Sequence, residues 1–183
     1  FALSSECPED EAKKLVHLYK YVAYPSIPIW HESVRNQLRD NRTLTNCFGS
    51  KVRLPGAWDH DLFRKAYAYL PQSTVVEITL QGMVKCYDSR DRYVQQYDLL
   101  GEVHDSLVGQ YPWRDPKALA HMASIVAFDY LSPLCSYGSR EFKIGREMKI
   151  GFNWGTMKEV KLDKDLAKLA KNIKHTVSHL ENT

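Results

Sequence analysis

Between Tyr97 and Tyr111, two short apolar runs, Leu99-Leu100 and Leu107-Val108, flank the segment Gly101-Glu102-Val103-His104-Asp105-Ser106. Short apolar runs around a polar centre predict a β-hairpin with His104 and Asp105 at its tip. The stretches before and after it carry helical periodicity instead. Helices packed on a small, mostly antiparallel sheet make this an α+β chain.

The first helix opens at Ser5-Glu6-Cys7-Pro8-Glu9-Asp10-Glu11, with proline in the first turn and acids at the positive end of the dipole. Ala12, Leu15, Val16, Tyr19 and Val22 then recur at helical spacing. Pro25 and Pro28 interrupt, and a second helix runs through Trp30, Val34 and Leu38. Thr43 to Asn46 and Lys51 to Leu54 read as strands around Phe48-Gly49-Ser50. Asp59 is placed to cap a helix over Leu62 to Tyr69, and Pro71 is expected to kink or break it before a longer one reaching Tyr87. A helix from Pro116 to Leu131 precedes short strands around Phe142-Lys143-Ile144 and Lys149 to Phe152. Gly155 to Lys164 reads as a linker, dividing residues 1–160 from an amphipathic tail, 161–183. That tail puts Leu166, Leu169, Ile173, Val177 and Leu180 on one face.

With 183 residues, 44% hydrophobic and 26% charged, the chain can bury a real core, which excludes a disordered or collagenous protein. No apolar run approaches the roughly 20 residues that span a bilayer, and Ala118 to Leu131 is broken by His121 and Asp129. A net charge of +3 is too weak to diagnose nucleic-acid binding. Cys7, Cys47, Cys86 and Cys135 lie far apart without metal-ligand spacing, as expected of a reducing cytosol. No signal peptide pattern is present. The chain opens on Phe1, which fits a processed chain or a piece of a longer one.

Three features could carry chemistry. A carboxylate at a hairpin tip, such as Asp105, can hold Mg²⁺, a hard cation that favours oxygen ligands. His104-Asp105 also makes an ordinary polar turn. Tyr67-Ala68-Tyr69-Leu70-Pro71-Gln72-Ser73-Thr74 offers polar groups after a proline, for capping or for a ligand. Arg39, Arg42, Lys51, Arg53 and Arg64, beside Phe48, Trp58 and Phe63, suit phosphate contacts or a solvated basic face. A cysteine nucleophile lacks a marked partner, and a serine hydrolase lacks the G-x-S-x-G elbow.

In order, these segments resemble family A DNA polymerases, especially the phage-type branch. Tyr19, Tyr24-Pro25-Ser26-Ile27 and Trp30-His31 resemble the family's "Y-x-x-F/Y-P-x-I-x-x-W-H". Leu44-Thr45-Asn46-Cys47-Phe48-Gly49-Ser50-Lys51-Val52-Arg53 is similar to its "L-T-N-x-F-G-R-K-R" hairpin. Trp58-Asp59, Leu62-Phe63-Arg64 and the residues on to Val75 resemble "W-D-x-x-L-F-R-x-A-Y-A-Y-x-P-Q-S-T-V", and Val103-His104-Asp105-Ser106 resembles the palm "V-H-D-S/E". Lys149 to Gly155 is similar to the phage-type C-terminus. The resemblance covers Glu11 to about Val160.

It implies a palm-type sheet with the base of the fingers, in the cytoplasm of a bacterial or phage-infected cell. Asp105 would bind catalytic Mg²⁺, His104 would sit by the primer terminus, and Gln72 would touch the duplex minor groove. Lys51 and Arg53, with Arg64 from the basic cluster, would meet the nucleic-acid backbone. The partners implied are primer–template DNA and deoxynucleotide triphosphates. Two metal ions in such a site favour attack of the primer 3′-hydroxyl on the α-phosphorus and neutralise pyrophosphate.

Ser50 stands where the family hairpin has its first Arg, and Ser106 where many relatives have Glu. The second catalytic Asp, in "D-Y/F-S-x-x-E", is missing ahead of Glu11, as is the Arg, Lys and Tyr fingers helix. Phe1 to Ser5 could be the end of that helix, without its Lys and Tyr. Asp129-Tyr130-Leu131-Ser132 echoes the missing motif but follows the hairpin and lacks the Glu. The expectation is therefore a C-terminal polymerase portion completed by a complementary fragment, and inactive alone. The competing reading is a non-catalytic DNA-binding or assembly module derived from a polymerase.

Overall fold

Aspartate side chains cap the starts of three helices, while the first two begin at Pro8 and Pro25 without a side-chain cap. In a computed structural model describing residues 7–181, Asp59 Oδ1 accepts the Leu62 N–H at 2.9 Å at the start of the longest helix. Asp115 Oδ1 accepts from Lys117 and Ala118 with Pro116 in the first turn, and Asp165 Oδ1 accepts from Ala167 and Lys168. Five α-helices result: α1 (Glu9–His17), α2 (Ser26–Asn41), α3 (His60–Asp88), α4 (Pro116–Ile125) and α5 (Leu166–Glu181). π-helical segments, Leu18–Ala23 and Val126–Tyr130, extend α1 and α4. Phe1 to Ser5, read as a helix end, lies outside the described residues.

The protein is α+β, and its strands are all antiparallel. They pair as four two-stranded sheets: β1 (Thr43–Thr45) with β2 (Lys51–Arg53), β3 (Asp98–Val103) with β4 (Ser106–Gln110), β5 (Cys135–Tyr137) with β6 (Arg140–Phe142), and β7 (Met148–Ile150) with β8 (Lys158–Val160). The segment read as a linker contains β8, and Val160 within it is buried. Pro71 does not divide α3. Leu62, Ala66, Leu70, Thr74 and Ile78 are buried at intervals of four residues straight through it, while Pro71 itself faces solvent. Pro28 likewise lies in the first turn of α2, where its missing N–H costs little.

The chain forms two compact units, residues 1–72 and 73–183. In the first, Val34 and Leu38 of α2 pack with Leu44 of β1 and with Ala66 and Leu70 of α3. In the second, Leu119, Met122 and Ala123 of α4 meet Leu169, Ile173 and Val177 of α5. The apolar stripe of the tail is therefore docked within its own unit. Leu169 and Ile173 are fully buried there.

Candidate functional site

The β3–β4 hairpin places His104 and Asp105 in a two-residue turn between the paired residues Val103 and Ser106. Both are exposed. His104 has φ 58°, a left-handed conformation that a non-glycine residue adopts at a cost of roughly 1–2 kcal/mol. Ser106 Oγ donates to the Val103 carbonyl at 2.8 Å, tying the two ends of the turn together. Thr79, a buried residue of α3, places its Oγ1 3.4 Å from the Asp105 carbonyl oxygen. A register irregularity between Leu99 and Gly101 leaves Leu100 exposed at the far end of the hairpin.

Asp105 thus presents a solvated carboxylate on a restrained turn. Its oxygens are the right donor type for Mg²⁺, but one carboxylate does not complete an ion site. Among the described residues, no three His, Cys, Asp or Glu side chains gather where they could hold a metal ion.

The basic residues stand on a separately built hairpin in the first unit. Asn46 Oδ1 accepts from the N–H groups of Phe48 and Ser50, both at 3.0 Å, and Gly49 takes φ 92° to close the turn. Tyr69 Oη donates to the Ser50 carbonyl at 3.1 Å, which fastens this turn to α3. In β2, Lys51 and Arg53 are exposed on either side of half-buried Val52, and so share a face. Among the described residues neither makes an ion pair.

The remaining residues of the basic cluster are differently engaged. Arg64, also exposed, lies 3.4 Å from Asp61 one turn away, and Arg39 bonds Asn36. Arg42 takes the left-handed position that ends α2, and its guanidinium lies 4.6 Å from the Trp58 ring centre. Its Nη1 is buried without a hydrogen-bond partner among the described residues. Gln72 is exposed on α3. Lys51 and Arg53 are therefore brought together on one strand, as are His104 and Asp105 in one turn.

Sequence reasoning missed Thr79 altogether, and missed the bond from Tyr69 to Ser50. Thr79 and Asp105 are 26 residues apart, and Tyr69 and Ser50 are 19 apart, so no local pattern joins either pair. Asn46 was findable, because an Asn three residues before a Gly marks a side-chain-closed turn.

No protein-family model, no curated protein and no solved structure matches this chain. No helix among the described residues is long and apolar enough to cross a membrane.

Proposed function

We propose that this chain supplies the C-terminal palm and fingers-base portion of a DNA-directed DNA polymerase acting in the cytoplasm. The observation that carries the reading is the place of Asp105, an exposed carboxylate on a restrained two-residue turn. A carboxylate so exposed is open to a hydrated Mg²⁺ and to substrate phosphates. The motif order around it, from Tyr24-Pro25 to Trp154-Gly155, adds support.

Under this reading Asp105 offers one oxygen ligand to Mg²⁺, which when bound would assist nucleotidyl transfer. His104 lies beside the primer terminus, and Gln72 touches the minor groove. Lys51, Arg53 and Arg64 neutralise backbone phosphates of primer–template DNA. The other carboxylate and the nucleotide-binding fingers come from residues outside this sequence, whether N-terminal to it or on a complementary fragment.

A second reading, a non-catalytic DNA-binding module, is favoured by the exposed Lys51 and Arg53 pair, which needs no metal to act. One experiment separates the two. The chain is combined with a fragment carrying D-Y/F-S-x-x-E, and template-directed primer extension is measured with deoxynucleotides and Mg²⁺. Extension by the combination, lost on Asp105→Ala, is the expected result. DNA binding without extension points to the module, and robust extension by the chain alone overturns the divided site.

A further inference from the structure

The turn that carries Asp105 is held at two carbonyl oxygens, and neither hold uses the carboxylate itself. Thr79 Oγ1 stands 3.1 Å from the Val75 carbonyl of its own helix and 3.4 Å from the Asp105 carbonyl. A threonine hydroxyl in a helix commonly bonds the carbonyl one turn back and goes no further. Here the single hydroxyl proton is shared, with the Val75 carbonyl as the nearer acceptor and the Asp105 carbonyl, on a hairpin that follows by 26 residues, as the farther one. Ser106 Oγ, donating to the Val103 carbonyl at 2.8 Å, closes the turn from inside. Between these two restraints His104 keeps its left-handed φ of 58°. Such a conformation persists only where the surroundings over-determine it, and it clusters at sites whose geometry matters.

We infer that Thr79 is a positioning residue for Asp105, acting with Ser106 to hold the His104–Asp105 turn in one conformation. The Asp105 carbonyl belongs to the peptide plane between Asp105 and Ser106. Anchoring that oxygen fixes the rotation of the plane about the Asp105 α-carbon, and with it the direction in which the side chain leaves the backbone. A metal-binding carboxylate must be held to within roughly half an ångström, so rotational freedom in its turn is lost function. Ser106, which stands where many polymerases of the resembling family carry Glu, gains a role that needs no metal contact. The catalytic consequence rests on the role proposed for Asp105; the anchoring of the turn does not.

The test uses the full chain with Thr79→Val, which keeps the shape and removes the hydroxyl, and Thr79→Ser, which keeps the hydroxyl. Amide hydrogen exchange at residues 104–106 is read beside the thermal midpoint. Thr79→Val should speed exchange at Asp105 and Ser106 by roughly fivefold or more while the midpoint stays near that of the parent, and Thr79→Ser should restore slow exchange. Unchanged exchange at the tip overturns the inference. So does a uniform loss of protection throughout α3 and the hairpin, which would make Thr79 only a packing residue.

In the completed polymerase, Thr79→Val should lower kcat by about tenfold with the nucleotide KM unchanged, and Thr79→Ser should recover it. Full kcat despite a loosened tip overturns the positioning role. If the parent chain supports no extension in any combination, the polymerase reading fails, and the exchange measurement alone decides whether Thr79 anchors the turn.

Discussion

The ring of Tyr97 lies across the α-carbon of Gly109, so that a methyl group on that carbon would overlap the ring and stand 2.7 Å from the Asp98 carbonyl oxygen. Glycine is required here by the close approach of an aromatic ring. Burial, and after it the nearby Cys86, pushes the Tyr97 phenol up to about 12, so the ring stays neutral. Gly109→Ala should cost about 1–3 kcal/mol in chemical denaturation, because ring or strand must shift. Gly101→Ala, with nothing within 4 Å of the added methyl, should stay within about 0.5 kcal/mol. Equal costs at the two positions would show that the Tyr97 ring is not what selects glycine.

Asp105→Ala should separate activity from stability. The side chain is exposed, so the unfolding free energy should change by no more than about 0.5 kcal/mol. Primer extension by the completed enzyme should fall to background in the same variant. A large stability loss would assign Asp105 to the fold instead.

Replacing Lys51, Arg53 and Arg64 with Gln should weaken primer–template binding about equally for all sequences. The slope of log affinity against log salt should become shallower by roughly one unit for each phosphate no longer neutralised. Arg64 is expected to contribute least, since Asp61 already lies beside it. An unchanged slope would return Lys51 and Arg53 to a solvated face.

His31 stacks on Tyr67 at 3.8 Å between ring centres, and its pKa lies below the ordinary 6.5 because of burial, then Lys20 and Arg35. Folding therefore disfavours the imidazolium, and the unfolded chain binds the proton more readily. The stability so contributed is fully present above about pH 6.5 and declines as pH falls below it, levelling once folded His31 is also protonated. His31→Gln should flatten that acid-side decline in denaturation curves. A decline of the same size in the variant would locate it elsewhere.

The tail should be structural. Ile173 is fully buried against α4, so Ile173→Ala should cost about 2–5 kcal/mol. Removing residues 163–183 would expose Leu119, Met122 and Ala123, and circular dichroism should then report loss of the α4 helix. A truncated chain with unchanged helicity and midpoint would contradict this.

The β3–β4 hairpin was legible because its apolar runs and polar centre are local, and a turn is fixed by its neighbours. The helix starts at Asp59 and near Pro116 were legible for the same reason. The continuity of α3 was not. Proline costs a helix one hydrogen bond whatever surrounds it, whereas the burial of Leu62, Ala66, Leu70, Thr74 and Ile78 is tertiary and outweighs that cost. At the site, His104 and Asp105 could be read as a pair in a turn. Their restraint by Thr79 could not, because it depends on a helix and a hairpin meeting in space.

Dividing the strands among four hairpins also bears on how the chain folds. The most separated strand partners, Asp98 with Gln110 and Met148 with Val160, are 12 residues apart. No strand pairing has to wait for a long loop to close, so each hairpin can form on a timescale of roughly microseconds. Contacts of long sequence separation include those joining α4 to α5 across β5 through β8. The rate-limiting event should therefore be the docking of α5, with the hairpins already formed before the core of the second unit closes.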